Sequence, residues 1–147
     1  MYRRDTLGLE EARTAVDAVL AEAGKEPNRP IAVAVVDDRG DLIYGARMDG
    51  AYPLYVHMAM NKAYTAARML RDTLALRKLQ QEFNRELGTW ADSRLTDIQG
   101  GGCIIKPGNG YIPLGPGGTV VGGIGVSGRP ADEDEQLAQV GLKALRL

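Results

Sequence analysis

The sequence predicts a single α+β domain built around a mainly antiparallel sheet, and three observations predict it. A short apolar, β-branched run, Ile31 to Val36, is followed by turn residues and a second extended segment, as in a hairpin. Twelve of the 19 glycines lie between Gly100 and Gly128, interleaved with valine and isoleucine. That mixture marks tight turns and close backbone approach rather than disorder. Apolar residues at helical spacing occupy both ends of the chain and its middle.

The first helix is expected where Leu9, Ala12, Val16, Val19, Leu20 and Ala23 recur on one face, with Gly24 placed to end it. Residues 25–30 hold two prolines and form a connection. Ile31–Val36 reads as a buried strand, residues 37–40 as a turn and 41–48 as the returning strand. Pro53 suits the first turn of a second helix that runs to about Leu70. A more polar helix is predicted over Thr73 to Leu87, with Leu74, Leu76, Leu79 and Phe83 as its apolar side, and then an irregular stretch from Trp90 to Gln99. Residues 103–106 and 119–126 read as strands around a loop rich in Gly and Pro. Asp132 and Glu135 have capping-box spacing for a last helix that carries Leu137, Val140, Ala144 and Leu145.

At 147 residues the chain is long enough for one well-buried core. Its net charge of -1 gives no electrostatic footprint for nucleic acid or an anionic membrane. No apolar run approaches the ~18 residues of a membrane span. Nor do Arg3 and Arg4 precede the apolar core of a secretory signal. The single cysteine, Cys103, excludes an internal disulfide, and a cytoplasmic protein is expected.

Gly123-x-Gly125-x-x-Gly128 has the spacing of a dinucleotide-binding turn. That turn needs a second parallel strand and an acidic residue about 20 positions on to hold the ribose. Only one helix follows here, so no NAD site is expected, and the segment reads as a last strand feeding a last helix. Ser127 lies in Gly-Val-Ser-Gly, which is not a nucleophile elbow. Cys103, flanked by strand residues, reads as a small core residue.

The helix from Pro53 divides into stripes. Val56, Ala59, Met60, Ala63, Ala67 and Leu70 form a small-residue face suited to close approach on a sheet. His57, Asn61, Tyr64 and Arg68 form a second stripe, and Met58, Lys62, Thr65 and Met69 a third. Together they offer an imidazole, an amide, an ammonium and two hydroxyls to a small polar ligand or a haem iron. An ordinary solvated outer face is the alternative. His57 is the only histidine, so a site of several histidines within one chain is excluded, while a general base or single axial ligand is not.

Four blocks occur in order: Val33-Ala-Val-Val-Asp37 with the Gly40 turn, Arg47-Met-Asp-Gly50, Lys62-Ala-Tyr-Thr-Ala66, and Val120 to Gly128 with Asp134 soon after. In these the chain resembles the GlcG/HbpS family, which includes the C-terminal domain of PduO-type proteins. The resemblance implies a profilin-like fold with helices flanking an antiparallel sheet, self-association, and haem or a related tetrapyrrole as cofactor, with haem degradation among the family's activities. It implies Lys62, Tyr64 and Thr65 as the cofactor contacts, because they fall in the Lys-Ala-Tyr-Thr-Ala block. His57 stands where many members place an acid, and Arg71-Asp-Thr73 where a proline usually precedes the threonine. Residues 74–99 are longer and more charged than usual, and either Gly100–Gly102 or Gly108-Asn-Gly110 matches the family's glycine run. A second reading is an enzyme on a small polar metabolite, with His57 as general acid or base and Lys62 stabilising a carboxylate or oxyanion. A third is an assembly partner whose polar stripe is an oligomer contact.

Overall fold

The computed structural model describes residues 1–147. Its elements are α1 (Leu9–Ala23), β1 (Ala32–Asp37), β2 (Leu42–Arg47), α2 (Pro53–Arg68), α3 (Thr73–Glu82), β3 (Gly101–Lys106), β4 (Thr119–Ser127) and α4 (Ala131–Lys143), with one 3-10 turn at Leu87–Trp90. The four strands form one antiparallel sheet in the order β2-β1-β4-β3. This is the α+β architecture the sequence predicts. No helix is long and apolar enough to cross a membrane.

β1 is central because it is apolar on both faces. Ile31, Val33 and Val35 pack with Ile124 and Val126 of β4 against α1 and α4, in the main core. Ala32, Ala34 and Val36 turn to the other face, where Ala59, Ala63 and Ala67 of α2 meet them. Pairing is in register from Ala32↔Ser127 to Asp37↔Gly122, so the period-2 alternation of the two strands is shared.

The Gly-x-Gly-x-x-Gly segment owes its composition to packing. A Cβ at Gly125 would collide with the Ala59 carbonyl oxygen, and one at Gly123 with that of Ala63. These two glycines let α2 lie on β4 backbone to backbone, with its three alanines spaced four apart as the matching surface.

Local detail departs from expectation in two places. α3 ends at Glu82 rather than Leu87, because Asn84 turns into the left-handed region at φ 48, a conformation asparagine tolerates and a helix cannot continue through. Phe83 is consequently exposed. The capping box expected of Asp132 and Glu135 does not form. α4 starts after Pro130 without a side-chain cap, and Glu135 instead accepts the Gly100 N–H at 3.0 Å.

Candidate functional site

α2 is covered on more sides than its stripes suggest. The sheet takes the alanine face, while segment 92–100 and the first turn of α4 close over Lys62, Tyr64 and Thr65 and leave His57 and Arg68 exposed. Lys62, Tyr64 and Thr65 are therefore all buried, at 2%, 3% and 0% exposure, where an amphipathic helix would leave them in water.

Each is committed to a protein partner. Lys62 Nζ donates to Val126 O at 2.8 Å and to Asp134 Oδ2 at 3.1 Å. Asp134 Oδ1 in turn accepts the Arg129 N–H at 3.0 Å, so the pair joins α2, β4 and the start of α4. Burial lowers the pKa of the Lys62 ammonium, and the Asp134 carboxylate offsets part of that. Burial likewise raises the Asp134 carboxyl above the usual carboxylate range, against the pull of Lys62. Taking both charges out of water thus outweighs their attraction.

Tyr64 donates its hydroxyl proton to Asp92 Oδ2 at 2.5 Å and accepts from Arg94 Nη2 at 2.6 Å. The Arg94 guanidinium lies 3.8 Å and that of Arg68 5.4 Å from the tyrosine ring centre. Burial raises the Tyr64 pKa, and the bond to Asp92 raises it further. Thr65 Oγ1 donates to Asn61 O at 2.7 Å and accepts the Thr96 N–H at 3.0 Å. His57 is exposed. It stands five residues from Lys62, about 140° around the helix. The fold does not bring these two together on one substrate.

The largest apolar concavity lies elsewhere. A groove of about 700 Å³ runs between α3, the β3 strand, the turn at 114–116 and the end of α4. Leu79, Phe83, Cys103, Ile105, Leu114 and Leu142 supply its hydrophobic wall, Arg71 and Lys78 its cations, and Asp72 and Glu82 its acids. This volume falls within the 300–1,000 Å³ of ordinary small-molecule sites. Phe83 and Leu114 stand well exposed beside it, and Leu114 is held at φ 55.

Cys103 is buried in the same wall, and burial, with Asp72 beside it, pushes its thiol up to about 12. Such a thiol is a core group, not a nucleophile. No group of three or more His, Cys, Asp or Glu side chains is placed to hold a metal ion. Sequence reasoning did not single out Arg71, Lys78 or the apolar groove. The sole signal was the Arg71-Asp72 pair before Thr73, where the resemblance leads one to expect a proline ahead of the threonine.

Residues 7–143 match the family described as haem-degrading protein HbpS-like. An uncharacterised 15.0 kDa protein of Citrobacter freundii, from the dhaT-dhaS intergenic region, is 33% identical over 93% of this chain and 90% of its own length. GlcG of Escherichia coli is 27% identical, over 80% of this chain and 79% of its own. A crystal structure of an HbpS double mutant from Streptomyces reticuli superposes with a TM-score of 0.83 at 30% identity, covering 100% of this chain and 92% of that one. By the extent of the family match and by these relatives, the chain belongs to the HbpS-like family.

Proposed function

We propose that this protein binds haem or a related tetrapyrrole, and that the groove beside α3 receives it. The observation that carries the reading is the groove itself: about 700 Å³, walled mainly by hydrophobic side chains, with Arg71 and Lys78 present for acidic substituents. A flat, apolar macrocycle with carboxylate arms matches that pattern of surface and charge. Membership of a family described as haem-degrading supports the same ligand class.

The residues present fit the group in size, polarity and charge. They supply apolar contact and cations rather than a preformed axial imidazole, since the only histidine, His57, lies exposed on α2. Bound haem would bring redox chemistry at its iron; the chain would seat the ring, exclude water and hold the acidic arms. Lys62, Tyr64 and Thr65 enter as framework. They fix α2, segment 92–96 and α4, and α2 leads into α3 through the corner that carries Arg71.

Haem titration followed at the Soret band tests the proposal. The expected result is saturation at one haem per chain. Ala75→Trp, which fills the groove from an exposed position, should weaken binding at least about tenfold without lowering the melting temperature. Unsaturable binding, or an unchanged affinity in Ala75→Trp, would reject the groove as the site. Bleaching of the bound Soret band with a reductant and oxygen reads degradation, and light scattering on the same samples reads self-association.

A further inference from the structure

Arg71 stands at the corner between α2 and α3, half-buried in the groove wall. None of the chain's ion pairs includes it. Its Nε donates to Met69 O at 2.9 Å and its Nη2 to Pro113 O at 3.0 Å. Both acceptors are neutral carbonyls, so they aim the guanidinium without neutralising it.

The neighbouring acid, Asp72, lines the same groove but is committed to other donors. Asp72 Oδ1 accepts the Cys103 N–H at 2.7 Å, and its Oδ2 accepts from Gln139 Nε2 at 3.1 Å. Arg71 Nη1 is left without a partner in the chain, while leucines and Phe83 line the groove beside it. A fixed cation in an apolar wall is poorly solvated when the groove is filled by a neutral body, and well matched when that body carries an anion.

We propose that the groove selects apolar ligands bearing a free carboxylate, and that Arg71 is the residue that reads it. The carboxylate docks on the open edge of the guanidinium, and the apolar body lies along Leu79, Phe83 and Leu114. Lys78, exposed on α3, adds a second, mobile cation for a ligand with two acids. This rests on the groove being the binding site and deepens that reading: it fixes the ligand's orientation and makes a free acid a requirement.

Protoporphyrin IX and its dimethyl ester share a ring and differ in the carboxylates. Binding of each is followed by quenching of the sole tryptophan. Trp90 lies close to the groove, because the Arg85 guanidinium is 5.3 Å from the Phe83 ring centre and 5.6 Å from that of Trp90. Wild-type protein should prefer the acid by about 10- to 100-fold, the range of a charge-assisted hydrogen bond. Arg71→Gln should bring the two ligands within about twofold by lowering acid affinity alone. Arg71→Lys, which keeps the charge but not the fork, should retain part of the preference.

Equal affinity of wild type for acid and ester, or an undiminished preference in Arg71→Gln, overturns the proposal. Should Arg71→Gln lose both ligands, the acid-to-ester ratio in Arg71→Lys decides, and an unchanged ratio there counts against Arg71. Failure of wild type to bind either porphyrin rejects the tetrapyrrole reading alone. The same proteins are then titrated with a fluorescent polyene fatty acid and its methyl ester, where absent or equal binding rejects the acid requirement as well.

Discussion

Replacing Lys62 by methionine keeps most of the side chain's volume and removes its charge, leaving Asp134 buried at 2% exposure with only the Arg129 N–H to satisfy it. Breaking one side of a buried ion pair costs about 3–5 kcal/mol, because the surviving charge stays out of water. Against a total stability of about 5–15 kcal/mol, that is a large fraction. In a domain of this size it corresponds to a fall of roughly 10–20 °C in melting temperature. The double variant Lys62→Met/Asp134→Leu removes both charges. It should recover part of the loss, retaining about 1 kcal/mol for each of the unpaired Arg129 N–H and Val126 carbonyl. Urea denaturation followed by far-ultraviolet circular dichroism gives all four corners of the cycle. A Lys62→Met cost below about 1 kcal/mol, or a double variant that sums the two single losses, would refute the reasoning that the pair is buried and coupled.

Other consequences are equally direct. Gly125→Ala should cost about 2 kcal/mol or more, or prevent folding, because the new methyl meets the Ala59 carbonyl; Gly108→Ala, which meets nothing within 4 Å, should be neutral in the same denaturation assay. Tyr64→Phe keeps the packed ring but removes the bonds to Asp92 and Arg94, so it should cost about 1–3 kcal/mol and speed amide exchange in residues 92–96. Native Cys103 should resist iodoacetamide at pH 8 and react after unfolding, as measured by mass spectrometry. The folded state holds the Cys103 proton from its ordinary 9.0 up to about 12, so this contribution to stability is complete below pH 9.0 and is lost as pH rises through that window. Melting curves of Cys103→Ala against wild type should converge as pH increases across it.

How far the sequence could be read depended on whether burial was encoded locally. Residues 9–23 and 31–36 announce themselves because one helix face and both strand faces are apolar over consecutive turns or pairs. The two central glycines of residues 123–128 could be assigned to a strand, though what lies against them belongs to α2, more than fifty residues earlier. Lys62, Tyr64 and Thr65 were visible as an unusual polar stripe, but their burial was not. It comes from Asp134, Asp92, Arg94 and Thr96, which lie 28 to 72 residues further along the chain than the α2 residues they meet. The groove was hidden for the same reason, since α3 meets the 114–116 turn across residues whose own pattern is merely polar and glycine-rich. Asp132 and Glu135 have capping-box spacing, yet Pro130 fixes the helix start two residues earlier than that box requires. Glu135 is instead drawn to the start of β3, a tertiary competitor that local spacing cannot reveal.

Amide exchange of the wild-type protein with and without haem tests the central claim most directly, because it reports where the ligand sits. The account predicts added protection in residues 73–82 of α3 and in the turn at 112–116, with α2 already protected in the free protein. Protection confined to the exposed side of α2 around His57, with α3 and the turn unchanged, would contradict it.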